Sequence, residues 1–299
     1  MTRMSKEREV KELRLTVPWG HIAAKAWGSP SGDRVLMVHG ILDNAGSYNR
    51  LVPLLPEHFY YVAIDLPGHG LSSSFPSAVP LEYFNYVFTI RIVLDSLQWD
   101  KCTYIGHSMG AQIGIFCAIL FPERFVKIVS CDGTIPLLIH DSDLIDRLRT
   151  VFESIEASKS PANLYTRDEA LYALQFLRYH VNTSDAAEAL FERAVTKVGD
   201  KYMYNRDPRL KFSVKILMNV DQVLSLYKKL SVPLLTLVST VTLDAYIYTD
   251  SEMYLKYLEV KTKMNFVLVE GNHDVHNSFP ERVAPHICKY LDSATKSKL

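Results

Sequence analysis

Short apolar runs alternating with longer helical ones predict a doubly wound α/β fold that carries an inserted helical block. Three observations carry this. Residues 35–39, 60–64, 102–105 and 125–131 are brief runs rich in Val, Ile, Leu and Tyr, each closed by turn residues. Their apolar content barely alternates, so both faces of each strand are expected to be covered, as in a parallel sheet between layers of helix. Residues 81–97 and 109–120 have helical length and apolar spacing, and they fall between strands.

Residues 10–17 and 21–27 read as a leading hairpin with Pro18 and Gly20 in its turn. After Cys131 the pattern changes. Residues 141–227 carry several helical stretches, of which 171–179 and 186–195 are the clearest, and no convincing strand. The strand signal returns at 232–238 and 265–269, and 281–291 reads as a closing helix. The expected division is a core of residues 1–133 and 230–299 and a helical cap of residues 134–229. Insertions of this kind sit at strand ends, where the ligand crevice of an α/β sheet also lies.

With 33 basic and 33 acidic residues among 299, the chain offers no field of one sign to attract nucleic acid or an anionic membrane surface. No apolar stretch approaches the ~20 residues that a bilayer demands, and the charged N-terminal segment lacks a secretory core, so a mature chain starting near Met1 is expected. Cys102, Cys117, Cys131 and Cys288 lie in apolar segments and read as small buried hydrophobes in a reducing compartment. No Cys/His spacing suggests a zinc site, and neither metal nor cofactor is expected.

Gly106-His107-Ser108-Met109-Gly110 fits G-x-S-x-G. Alone this is weak, since average composition gives a match in roughly one chain in ten of this length. Here it follows the expected strand 102–105 and opens the expected helix 109–120, the context that gives the motif meaning. A turn this tight excludes side chains at the flanking positions, hence glycine twice. It would push the Ser108 hydroxyl above the sheet as a nucleophile. A serine needs a base, and histidine titrates in the right range. His273 in Gly271-Asn272-His273, directly after the last expected strand, is the candidate, with His276 as a rival that is expected at the surface or facing the cap. His39-Gly40 ends an earlier strand. Backbone N–H groups of Met109 and, after Gly40, of Ile41 would make a two-donor oxyanion hole, while His39 reads as a structural hydrogen-bonding residue.

His39-Gly40, then Asp65-Leu66-Pro67-Gly68-His69-Gly70-Leu71-Ser72, then the Ser108 motif and Gly271-Asn272-His273 together resemble the α/β-hydrolase superfamily of the epoxide-hydrolase and lipase-like type. Within it, Phe121-Pro122-Glu123-Arg124, Asn205-Arg206-Asp207-Pro208-Arg209-Leu210 and the histidines 273 and 276 before Pro280-Glu281 are similar to the serine hydrolase-like proteins. The resemblance implies the α/β-hydrolase fold and hydrolysis of a small or lipid-like ester or thioester through an acyl-enzyme. Relatives that attack epoxides or haloalkanes use aspartate, so Ser108 speaks against those chemistries.

The sequence departs from the family at the acid. Where relatives have a glycine and soon an aspartate, residues 239–244 read Ser-Thr-Val-Thr-Leu-Asp, with Asp244 late and no glycine. Asp132, just past strand 125–131, is favoured over Asp244 because it sits at a strand end. The irregular acid leaves one alternative open: a slow-turnover or non-catalytic ligand-binding protein on the same fold. Leu171, Leu174, Phe176, Leu177 and Tyr179 form an apolar stripe that reads mainly as cap core and could otherwise roof the pocket. The sequence closes on Ser297-Lys298-Leu299, which at a free C-terminus is read by the peroxisomal import receptor, so a peroxisomal matrix location, with some protein in the cytoplasm, is expected.

Overall fold

The computed structural model describes residues 8–134, 136, 144–157, 159, 161–178, 180–212, 214, 216–249 and 265–293. Tyr179 and the Ser297-Lys298-Leu299 tripeptide lie outside them.

Ten strands are found among these residues: β1 (Val10–Val17), β2 (Gly20–Trp27), β3 (Asp33–Val38), β4 (Phe59–Ile64), β5 (Cys102–His107), β6 (Phe125–Cys131), β7 (Val195–Val198), β8 (Lys201–Tyr204), β9 (Leu234–Ser239) and β10 (Asn265–Val269). Eight of them form one sheet in the order β1-β2-β4-β3-β5-β6-β9-β10. The first hairpin is antiparallel, β2 also pairs antiparallel with β4, and every later pairing is parallel. The order reverses around β3, so the ends of β3 and β5 open onto one crevice. That is where a doubly wound sheet binds its ligand.

The central strands are buried along nearly their whole length, as their unbroken apolar runs require. Alternate residues serve opposite layers because successive strand side chains point to opposite faces. Leu36, Val38, Tyr104 and Ile128 pack with helices α1 (Tyr83–Ser96) and α2 (Met109–Leu120). Val35, Met37, Ile105 and Val129 pack instead with Tyr48, Leu51 and the last helix (Pro280–Asp292) through Val283 and Ile287. The four cysteines are free; three are buried and Cys288 is half-buried.

The residues between β6 and β9 hold helices α3 (Leu144–Ala157), α4 (Arg167–Phe176), α5 (Ser184–Ala194) and α6 (Val220–Tyr227). They also hold an antiparallel hairpin, β7–β8, where the sequence offered no strand. Val195-Thr196-Lys197-Val198 is a short run, and Gly199, at φ 64°, supplies the left-handed residue of its turn. A capping box on Thr166 and Glu169 starts α4, and Thr183 caps α5.

The apolar stripe of α4 splits. Leu174 is buried with Ala170, Ala187 and Leu190, and Leu171 packs beside them, whereas Phe176 and Leu177 are exposed. Two buried arginines join this segment to the sheet layer. Arg193 forks onto Asp65, with Nη2 at 2.8 Å, and Arg209 donates to the carbonyl of Phe75 at 2.8 Å as well as to Asp207. No described helix is long and apolar enough to cross a membrane.

Candidate active site

Ser108 occupies the turn between β5 and α2 at φ 50° and ψ −123°, a conformation that costs a non-glycine residue energy. The surroundings enforce it. A β-carbon at Gly106 would lie 2.5 Å from Ala111 Cα, and one at Gly110 would lie 2.2 Å from the Val38 carbonyl oxygen, so only glycine lets the strand, turn and helix close up. The Ser108 N–H donates to the Cys131 carbonyl at 3.0 Å, and a β-carbon at Gly133 would lie 2.2 Å from the Ser108 carbonyl. The end of β6 is thereby pressed against the serine turn.

Asp132 is the first residue past β6 and, like Ser108, has positive φ, at 52°. Its N–H donates to Leu237 of β9 at 2.8 Å, and its side chain turns across the strand end. Oδ1 accepts the Ser239 N–H at 2.7 Å. Oδ2 accepts the Ser239 hydroxyl at 2.9 Å and the Thr242 hydroxyl at 2.6 Å. Oδ2 also accepts from His273 Nδ1 at 2.8 Å, while His273 Nε2 stands 2.8 Å from Ser108 Oγ. The structure thus brings Ser108, His273 and Asp132 into one hydrogen-bonded line.

It does not bring Asp244 there. The residues after β9 do not form the short loop of the family pattern; they start helix α7 (Thr240–Thr249) at once, and Asp244 is exposed on it. Ser239 and Thr242, in the same stretch, hold the Asp132 carboxylate instead of supplying an acid. No sequence feature marked them, because their role exists only once β6 and β9 are neighbours.

Burial alone would raise the carboxyl of Asp132 and lower the imidazole of His273. The hydrogen bond and charge between them outweigh it. Asp132 is held below its ordinary value by His273, Thr242 and Ser239, and His273 is held above its own by Asp132, then by Asp274 and Asp43. Ionised Asp132 fixes the proton of His273 on Nδ1 and leaves Nε2 to accept from the serine.

Gly40, two residues past β3, lies against the serine turn: a β-carbon there would lie 3.0 Å from Ser108 Cβ and 2.8 Å from His107 Nδ1. Ile41 follows in a turn closed by Asp43 N–H to the Gly40 carbonyl at 3.2 Å. Met109 N–H belongs to the first turn of α2, whose donors have no carbonyl partner within the helix. His39 is structural in its bonding. Its Nε2 accepts the Leu66 N–H at 2.9 Å and Nδ1 donates to the Gly40 carbonyl at 2.7 Å; burial holds it at about 4, hence neutral.

His276 is not at the surface. It is fully buried on a short helical turn (Val275–Ser278), stacks on His107 with ring centroids 4.0 Å apart, and burial followed by the His107 charge holds it well below the usual histidine value. Its neighbour Asn277 on the same turn donates to the Ala186 carbonyl of α5 at 3.2 Å, so the turn does lie against the inserted segment although His276 itself is not exposed.

A second buried group lies on the other side of His273, and the sequence reading missed it. His107 Nε2 donates to the His273 carbonyl at 3.0 Å, and His107 Nδ1 is 3.4 Å from Asp43. Asp43, His107 and Asp274 hold potential metal-ligand atoms within 4.8 Å of one another. The positive charge there comes from Arg178, whose Nη2 lies 2.5 Å from Asp43 Oδ1 and 3.4 Å from Asp274 Oδ1. The one sequence signal that could have pointed to it is a pair of aspartates, each within two residues of a candidate site residue.

Fold and site together define an α/β hydrolase. The family model described as alpha/beta hydrolase fold matches residues 33–205, and the chain belongs to that family. Among curated proteins it is similar to human "Serine hydrolase-like protein 2", with 37% identity over 94% of this chain and 94% of the relative. It is also similar to the zebrafish (Danio rerio) "Serine hydrolase-like protein", with 33% identity over 97% and 91%, and to a "Probable serine hydrolase" of Drosophila melanogaster, with 31% over 95% and 88%. A hypothetical protein of Pseudomonas aeruginosa PAO1 superposes with a TM-score of 0.81 at 24% identity over 94% of this chain and 98% of its own. The thioesterase domain from the curacin biosynthetic pathway gives 0.81 at 19%, over 94% and 99%. These two speak for the fold.

Proposed function

We propose that the chain is a serine hydrolase that cleaves a carboxylic ester or thioester of a small or lipid-like substrate through an acyl-enzyme, with the inserted segment as a cap over the crevice. One observation carries the reading: the unbroken line from Asp132 Oδ2 through both nitrogens of His273 to Ser108 Oγ, each step 2.8 Å. A serine, a neutral histidine and an ionised aspartate in that order are the parts that acyl transfer requires.

In this reading Ser108 Oγ bonds to the acyl carbon as His273 Nε2 takes its proton. The carbonyl oxygen becomes an oxyanion between the N–H groups of Ile41 and Met109. Collapse expels the alkoxide or thiolate, which takes the proton from His273. Water then attacks the acyl-serine, gives its proton to His273, and the acid leaves as Ser108 recovers that proton. Asp132 stays ionised throughout and stabilises the imidazolium formed in each half.

The test is labelling with a fluorophosphonate, combined with turnover of short p-nitrophenyl esters. The wild type should label and turn over, and Ser108→Ala should do neither while melting at the same temperature. A wild type that fails to label, or a Ser108→Ala variant with most of the turnover, overturns the reading.

A further inference from the structure

The segment after α4 crosses directly over the His273 loop. The Val181 carbonyl accepts from Asn272 Nδ2 at 2.7 Å, and the His180 ring lies 5.8 Å from that of His273. Turned to satisfy its neighbours, the Asn182 amide accepts from Arg178 Nε at 3.1 Å and donates to Asp274 Oδ2 at 3.2 Å. The Arg178 guanidinium therefore faces two carboxylates from two different loops. Asp43 is two residues past Ile41, and Asp274 adjoins His273.

Both carboxylates are buried, Asp43 to 1% side-chain exposure and Asp274 to 5%. Two such charges repel in a medium of low dielectric unless a cation joins them. Here one nitrogen, Nη2, reaches both carboxylates while Asn182 holds Nε, so the planar guanidinium is fixed in direction as well as distance, which an ammonium is not. His107 also stands between the two loops, with Nδ1 3.4 Å from Asp43 and Nε2 3.9 Å from Asp274, but it comes from the sheet; Arg178 is the tie that the inserted segment supplies.

We propose that Arg178 is a positioning residue for hydrolysis: by bridging Asp43 and Asp274 from the inserted segment, it fixes the Ile41 donor relative to the Ser108–His273 pair. The proposal rests on the catalytic reading of Ser108 and His273. It makes the active site complete only when the inserted segment is seated.

Bridging also sets charge around His273. The groups that face His273 are Asp132, Asp274 and Asp43, the rings of His107, His180 and His276, and, beyond the aspartates, Arg178. Loss of Arg178 leaves two carboxylates uncompensated, so the imidazolium gains stability and the acidic limb of the pH–kcat/KM profile should move to higher pH.

The experiment compares Arg178→Met, Arg178→Lys and the triple variant Asp43→Asn/Arg178→Met/Asp274→Asn with the wild type. Kinetics on p-nitrophenyl esters, melting temperature, and hydrogen exchange at the backbone of residues 41–43 and 272–276 are read on each. Small displacements of reacting groups cost up to about a hundredfold, so Arg178→Met should lose about tenfold to a hundredfold in kcat with KM little changed. Its acidic limb should rise, and both loops should exchange faster together. Arg178→Lys, which keeps the charge and loses the planar group that Asn182 orients, should restore the pH limb but only part of kcat.

The triple variant has no buried charge to strand and should fold even if Arg178→Met does not; low kcat is expected there too. Wild-type kcat in the triple variant, or in Arg178→Met, overturns the proposal. So does a lower melting temperature with an unchanged pH limb and unchanged kcat per folded molecule. Should the wild type fail to label with fluorophosphonate, the catalytic reading falls. Exchange then decides the tie alone: equal protection of both loops in Arg178→Met and wild type sinks it.

Discussion

The two sides of the His273 ring are built differently. On one side, Asp132, Ser239 and Thr242 come from the ends of neighbouring strands and the helix that follows, and their positions are set by the parallel pairing of β6 with β9. On the other, Asp43 and Asp274 are brought together by an arginine from the inserted segment. The second side takes its countercharge from the inserted segment, so the carboxylates around the same histidine are held by the sheet on one side and, in the role proposed for Arg178, by that segment on the other.

The largest effect should come from the strand-end side. Asp132→Asn is expected to lower kcat on the order of 10⁴-fold, as loss of the orienting acid does in serine proteases, while Asp244→Asn stays near wild type. Kinetics of the two side by side decide this, and a crippled Asp244→Asn would mean that the strand-end carboxylate does not orient the histidine. Next comes a buried arginine joint that does not touch His273. Arg193 is bound to fully buried Asp65 and to Glu12, and breaking a buried pair strands a charge. Arg193→Met should cost about 3–5 kcal/mol of stability by denaturant titration, with kcat per folded molecule unchanged. A kcat loss like that expected for Arg178→Met would mean that any joint of the inserted segment serves the site.

Gly40→Ala is a smaller lever, on the proposed oxyanion donor Ile41. The new β-carbon would press on buried His107 and on Ser108 and should lower kcat per folded molecule about tenfold to a hundredfold through displacement of Ile41, with some loss of melting temperature from the overpacking. The smallest effect is in pH dependence. His273 must be neutral to accept the serine proton, and it is held above its ordinary value by Asp132 first and then by Asp274 and Asp43. Wild-type kcat/KM should therefore fall as pH drops through a limb lying above the unperturbed value of about 6.5. Asp274→Asn should move that limb down, and a limb that stays put would show that only the strand-end side acts on the histidine.

Most of the core was legible because its signals are local. A parallel strand covered on both faces must be apolar throughout, and a strand-to-helix turn that admits no Cβ must use glycine, so β3 to β6, α2 and the Ser108 turn follow from short stretches of residues. The hairpin β7–β8 was not legible, since four-residue strands lack the length for a period to emerge. The surface position considered for His276 failed because nothing within the peptide Val275–Ser278 records that the rings of Tyr48, at 5.4 Å, and His107, at 4.0 Å, close over it.

The sequence by itself determined the Ser108 turn, the position of His273 after a strand and the sheet that carries both, since each rests on the backbone demands of its own few residues. The carboxylate beside His273 needed more. Asp132 and Asp244 both follow strands, and the choice turned on which carboxylate the register of β6 against β9 carries to His273, a relation between residues more than a hundred positions apart. The Arg178 bridge needed most of all. Its three charges come from three separated segments, and a side chain's charge tells nothing of its partner until folding removes the water between them.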